Sequence, residues 1–415
     1  MPADTGAVCC CIAGGGPAGM MLGTLLARAG VDVVVLEKHA DFLRDFRGDT
    51  IHPSTLEIMH ELGWLDEFLQ LPHQKVRQLT AVVGSQRVTI ADLGHLPTRC
   101  KFIAFMPQWD FLNFLALRAA RYPGFRLWMR AEATDLVEES GRVVGVRVTT
   151  PEGTQEVRAD LVVAADGRHS VLRERAGLAI EELGAPMDVL WFKLSRRPDD
   201  PGGVMGQFGS GRIFVMLDRG DYWQCGFVIA KGTIESLRAR GMEAFREQVA
   251  LLSPWIKDRT TELRDWGDMS LLTVRVDRLR QWYRTGLLCI GDAAHAMSPV
   301  GGVGINLAIQ DAVASANLLA APLRERRVTD DDLRRVQRRR ELPTRVIQRF
   351  QVIVQRRVIG PVLSSTGPPR APLILRLLAQ LPGLPRIPAR LIGMGVRPER
   401  VRTPEAPLYR PGQAG

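Results

Sequence analysis

The stretch Ala13-Gly14-Gly15-Gly16-Pro17-Ala18-Gly19 joins an apolar run, Ala7 to Ala13, to a helical pattern from Pro17 to Ala29. Strand, tight turn and helix follow one another in that order. Glycines let the backbone turn sharply and approach a pyrophosphate, whose charge meets the free N–H groups and positive dipole end of the helix. A second run, Val31 to Leu36, ends in Glu37. A carboxylate roughly twenty residues beyond the turn accepts hydrogen bonds from a ribose and repels a 2′-phosphate. The pattern predicts a βαβ unit that binds the adenosine end of a dinucleotide. Its candidate contacts are Gly14, Gly16, Pro17, Ala18, Gly19, Glu37 and Lys38.

Two later segments extend the same pocket. Leu161 to Ala165 reads as a buried strand running into Asp166-Gly167. Gly286 to Ile290 reads as another, ended by Gly291-Asp292 ahead of Ala293-Ala294-His295. The loop Pro299-Val300-Gly301-Gly302-Val303-Gly304 has too many glycines for a regular element, and a helix follows from Ile305 to Leu319. Such a turn aims the backbone N–H groups of Gly304, Ile305 and Asn306 at a group above it, and a helix N-terminus stabilises negative charge. Asp292 is placed to accept from a ribityl or ribose hydroxyl. His295 reads as a residue that fixes its loop by hydrogen bonds, with a catalytic role as the minority reading.

At 415 residues the chain can bury a large core and hold two or more domains. The apolar stretch Ala7 to Ala29 has no basic region before it and a nucleotide turn in its middle, so it reads neither as a signal peptide nor as a membrane span. Six cysteines include Cys9, Cys10 and Cys11. Strand neighbours point to opposite faces, so this triplet does not close on one metal or form a disulfide, and no metal site is assigned. Small buried thiols suit a reducing compartment, and the protein reads as cytoplasmic. Between Leu323 and Arg402 there are 19 Arg, no Lys and 6 acidic residues, a local charge of +13 against +10 for the whole chain. Aromatic residues do not interleave with these arginines as a stacking platform would need, Phe350 standing alone among them, which argues against nucleic acid. A solvated basic helix is the favoured reading, with peripheral contact to a membrane surface as the minority one.

The predicted fold class is α/β: a Rossmann-like nucleotide-binding domain with an inserted mixed β-sheet substrate domain and a helical C-terminal region. The nucleotide domain is assigned to residues 1–75, 98–180 and 277–358. The sheet domain takes 76–97 and 181–276, and 359–415 form the basic C-terminal region and tail, where Pro382, Pro385 and Pro388 break any long helix. That region reads as a membrane-surface element, a cover over the substrate mouth, or a subunit contact. Within the inserted sheet, apolar residues alternate with polar ones, and period-2 spacing puts one set on a common face. Trp191, Phe214, Met216 and Trp223 are assigned to the substrate pocket, which suits a hydrophobic planar ligand.

Over roughly residues 6 to 350 the chain resembles the class A flavoprotein monooxygenases, the para-hydroxybenzoate hydroxylase family. The glycine turn at Gly14–Gly19 is similar to that family's FAD pyrophosphate loop. Arg47, in Arg47-Gly48-Asp49-Thr50, resembles the family arginine near the cofactor. Asp166-Gly167 matches its Asp-Gly motif, Gln108 resembles an FAD contact, and Gly291-Asp292 with Pro299, Gly302, Gly304, Ile305 and Asn306 matches the ribityl and ring-binding motif. Thr50 and Ser54 depart from the usual Gly and basic residue. The Trp-x-Trp-x-Ile-Pro signature of related halogenases is absent.

The resemblance implies FAD as cofactor, NADH or NADPH as transient co-substrate, and O2 adding at flavin C4a to form a hydroperoxide. It gives Pro299 and Arg47 the positions nearest the chemistry. The substrate expected is a hydrophobic aromatic or polycyclic compound that is hydroxylated or epoxidised. A reductase or dehydrogenase of a prenyl or polycyclic substrate, without oxygen insertion, is the alternative. His52, Tyr222 and His295 are candidate bases, each read first as structural. A monomer or homodimer is expected.

Overall fold

The computed structural model describes residues 7–43, 50–84, 86–201, 204–367, 373–381 and 383–407. The chain opens with β1 (Val8–Ala13), α1 (Pro17–Arg28), β2 (Val33–Glu37) and α2 (Pro53–Glu61). A hairpin of β3 (Gln78–Val83) and β4 (Gln86–Asp92) precedes α3 (Gln108–Ala119), β5 (Phe125–Met129) and the long β6 (Gly153–Ala164). Next come β7 (Met187–Ser195), β8 (Val204–Gly209), β9 (Arg212–Asp218) and β10 (Tyr222–Ala230), followed by α4 (Met242–Leu252), β11 (Ser270–Leu272) and β12 (Leu287–Cys289). The described chain closes with α5 (Gly304–Arg324), α6 (Asp330–Val354), α7 (Leu373–Gln380) and α8 (Arg386–Gly393).

The fold is α/β. In the first sheet the parallel strands run β12-β6-β1-β2-β5, with one antiparallel strand added beside β12 and an antiparallel pair joined to the long β6. All six residues of β1 are buried, the near-continuous apolar run that a parallel strand covered on both faces requires. Helix α1 packs so tightly on this sheet that a Cβ at Gly23 would meet Val35 at 2.6 Å. The six cysteines are free and buried, and burial pushes the Cys11 thiol up to about 12. Residues Val300–Arg324 are long and apolar enough to cross a membrane, yet 78% of the 18-residue apolar window within them is buried inside the fold. Helix α5 is a core helix wedged against α1 and α6.

The second sheet runs β11-β7-β10-β9-β8-β3-β4, so it draws strands from both sides of the α3–β6 segment. All its pairings are antiparallel except β8 with β3. One face packs on α4, where Phe192, Phe214 and Phe227 meet Phe245 in a fully buried cluster. The opposite face looks toward the first sheet across the space between the two.

Candidate functional site

A cavity of about 1290 Å³ fills that space and runs from the glycine turn after β1 to the second sheet. Close contacts dictate the turn. A Cβ at Gly14, whose φ is +106°, would come 2.4 Å from Ala165 O, and one at Gly19 would come 2.0 Å from Gly14 O. Gly16 differs, for its Cβ would enter open space. No side chain caps α1, so its first N–H groups face the cavity. Glu37 closes the end of β2 onto this turn: Gly15 N donates to Oε2 at 3.1 Å and His39 N to Oε1 at 2.9 Å. Lys38 and Gln108 border the same end.

Asp166 and Gly167 border the cavity where β6 ends. Asp166 Oδ2 accepts from Leu172 N at 3.4 Å, whereas its buried Oδ1 has no partner. Burial pushes this carboxyl up, against several hydrogen bonds that pull it down. Asp292 also borders the cavity, and its Oδ2 lies 3.5 Å from Arg168 Nη2. The loop from Pro299 then turns through Gly301 and Gly302, at φ +79° and +62°, and Thr50 Oγ1 donates to Gly302 O at 2.9 Å. Helix α5 starts at Gly304 without a side-chain cap, and Gly304 and Ile305 border the cavity.

Gly19, Gly291 and Asn306 do not border it. Gly19 and Gly291 shape turns, and Asn306 is a clamp. Its Oδ1 accepts from His52 N and Thr55 Oγ1, both at 2.8 Å, and its Nδ2 donates to Thr50 O at 3.0 Å. Arg47 lies outside the described residues. His295 is buried away from the cavity against Asp311 and the Trp282 ring. His52, also buried, donates from Nδ1 to Ile392 O at 2.7 Å, and burial lowers its pKa to about 4.

On the sheet side, one assignment is corrected. Trp191 borders the cavity, but Phe214, Met216 and Trp223 point to the other face and pack in the α4 core. The cavity instead meets Ile213, Val215 and Leu217 of β9 with Gln224, Gly226 and Val228 of β10. Gln224 apart, both faces of these strands are mostly apolar, so alternation separates two sets of residues without saying which set faces the ligand. The Trp191 ring lies over Gly226, 3.0 Å from where a Cβ would be. Helices α7 and α8 complete the enclosure through Leu375, Leu378, Leu391 and Ile392, beside Phe350 and Val354 of α6. Of the three readings of the C-terminal region, a cover over the cavity is the one this packing draws.

A family model for the FAD binding domain matches residues 7–350, spanning both cavity halves. The chain belongs to the FAD-binding flavoprotein monooxygenases. The 6-methylpretetramide 4-monooxygenase of Streptomyces rimosus is 32% identical to this flavoprotein over 390 residues, 93% of each chain. The 12-dehydrotetracycline 5-monooxygenase/anhydrotetracycline 6-monooxygenase of Streptomyces rimosus subsp. rimosus is 29% identical over 317 residues, 73% of this chain and 60% of that one. The solved OxyS anhydrotetracycline hydroxylase from Streptomyces rimosus shares the fold, with a TM-score of 0.72 at 24% identity over 94% of this chain and 76% of that one.

The flavoprotein's own residues fit FAD. Open space at Gly16, an unpartnered Asp166 oxygen and two uncapped helix starts at one cavity are what a long anionic ligand requires. The sequence did not single out Gly15, His39, Arg168 or the cavity face of β9, all of which border the site. Period-2 spacing carried part of that last signal.

Proposed function

We propose that this flavoprotein uses FAD, an NADH or NADPH donor and O2 to hydroxylate a polycyclic aromatic compound, with epoxidation as a variant outcome. The carrying observation is the continuity of the cavity, from the glycine turn past the start of α5 to an apolar sheet face. Gly14, Gly16, Pro17 and Ala18 would hold the pyrophosphate, Glu37 and Lys38 the adenosine ribose, and Asp166, Gly167 and Asp292 the hydroxyls between. Bound there, reduced FAD would supply the activation of O2 for oxygen transfer.

The chain's residues supply the rest. The N–H groups of Gly304 and Ile305, at the uncapped start of α5, would stabilise negative charge on a bound flavin ring, helped by the helix dipole. Pro299 and its loop border the cavity next to these N–H groups and would flank the bound ring and the substrate. Val215, Leu217, Leu375 and Leu378 exclude water, which protects a reactive oxygen species from release. The relative that matches along 93% of the chain is named for a polycyclic substrate, which supports that substrate class. Buried free cysteines support a cytoplasmic setting.

Labelled dioxygen supplied with NADH or NADPH and a panel of polycyclic phenols tests the reading by mass spectrometry. Incorporation of one labelled oxygen into product is expected. Oxidation of the donor that leaves every aromatic acceptor reduced and unlabelled would support the reductase alternative.

A further inference from the structure

Gln224 stands apart from its apolar surroundings. It lies on the cavity face of β10, next to Leu217 of β9 in the strand register, and is only 4% exposed. Arg219, in the turn between β9 and β10, folds back and donates to Gln224 Oε1 twice, from Nε at 2.9 Å and from Nη2 at 2.7 Å. A guanidinium has no acceptor, so the amide cannot be flipped: its oxygen faces Arg219 and its nitrogen faces away. No described residue accepts from Nε2. An amide whose oxygen takes two charge-assisted bonds is polarised, and its N–H groups become stronger donors.

Arg219 is itself held over the Phe105 ring, 5.6 Å from its centre. Phe105 borders the cavity and pairs with Thr50 across a short strand ladder, and Thr50 in turn bonds the Gly302 carbonyl. The fixed amide therefore belongs to the end of the sheet-side cavity that is tied to the Pro299–Gly302 loop. Thr80 and Thr273 also border the cavity, but a hydroxyl rotates and both donates and accepts. Gln224 offers donors alone.

We propose that Gln224 is the recognition residue for a ring oxygen of the substrate, a carbonyl or phenolate that accepts from Nε2, with Arg219 as its positioning residue. This rests on the reading that the sheet side of the cavity takes the substrate. It narrows the substrate class to aromatics that carry an acceptor oxygen at the edge nearest Phe105. A bare hydrocarbon leaves the buried amide unpaired and is rejected.

The test compares anthraquinone with anthracene, two tricyclic probes that differ by their carbonyl oxygens, by equilibrium dialysis against the FAD-loaded protein. The unaltered protein is expected to bind anthraquinone roughly tenfold tighter than anthracene. Q224L abolishes that preference by weakening anthraquinone alone, and Q224E does the same, since a carboxylate paired with Arg219 has no donor to offer. R219M reduces the preference in part by releasing the amide. FAD content of each variant reports that the fold is intact. Equal affinity of the unaltered protein for the two probes, or a preference that survives in Q224L, overturns the proposal. Retained discrimination without labelled oxygen in any product would sink the monooxygenase reading and leave this one standing.

Discussion

His295 and Asp311 form a fully buried pair, with Nε2 of the imidazole 2.6 Å from Oδ2 of the carboxylate. Gly291 N donates to the same oxygen at 3.1 Å, and Arg340 Nε reaches the other at 2.9 Å. Arg340 also lies 3.4 Å from Glu399. One carboxylate thus ties the Gly291–His295 loop to α5, α6 and the segment after α8. Burial alone pushes the Asp311 carboxyl up, but His295 and Arg340 together outweigh it and hold the group below its ordinary range. The stabilisation is present above the ordinary carboxylate range and is lost as pH falls through the folded value.

Asp311→Asn keeps the shape and leaves Arg340 with Glu399, 3.4 Å away, as its remaining charge partner. A loss of about 3 kcal/mol in urea unfolding is expected, the low end for a broken buried pair, because Glu399 offsets part of the charge left behind. A variant within about 1 kcal/mol of the parent would show that the network is not held by this charge.

His52 governs a higher pH window. Its Nδ1 must donate to the Ile392 carbonyl, so the neutral ring carries its proton there and buries Nε2 without a partner. Burial lowers the folded pKa to about 4 from 6.5, so between those values the unfolded chain binds a proton that the folded chain refuses. Stability is complete above pH 6.5 and falls as pH drops toward 4, by on the order of 3 kcal/mol in all. In His52→Gln the unfolding free energy should be flatter over that window. Equal slopes for the two proteins would assign the acid sensitivity to other groups.

The nucleotide half was legible because backbone contacts write themselves into sequence. Where a Cβ would strike a carbonyl, as at Gly14 and Gly19, only glycine is tolerated. The sheet half was legible only to parity. Alternation grouped Phe214 with Met216 and Ile213 with Val215, but both sets are apolar, so spacing alone did not say which set faces the ligand. The cover formed by α7 and α8 was offered as one of three readings, since short leucine-rich pieces between prolines carry the same pattern on any apolar surface.

That parity is directly testable. Phe214→Ala opens a hole against Phe192 and Phe227 and should cost about 3–5 kcal/mol, with anthraquinone affinity unchanged in the protein that remains folded. Val215→Phe adds volume on the cavity side and should weaken the same ligand roughly tenfold, with stability nearly unaffected. A reversed pattern, with ligand lost in the first variant and the fold lost in the second, would restore the original assignment.

Gly16 and Gly19 lie in one turn and are glycine for different reasons. An alanine at Gly19 would place its Cβ 2.0 Å from Gly14 O, a backbone atom that cannot yield without opening the turn. Gly16 has φ −74°, which any residue adopts, and no neighbouring atom within 4 Å of its Cβ position. Gly19→Ala should therefore destabilise the apoprotein. Gly16→Ala should leave it unchanged or raise its stability by up to about 1 kcal/mol, since alanine restricts the unfolded chain. The same Gly16 variant should lose FAD affinity roughly tenfold or more, because a methyl group keeps the pyrophosphate from the α1 N–H groups. Urea unfolding of apoprotein and quenching of FAD fluorescence separate the two effects. If Gly16→Ala binds FAD as tightly as the parent, the pyrophosphate does not cross that open space. If it unfolds as readily as Gly19→Ala, the glycine serves the turn and says nothing about a ligand.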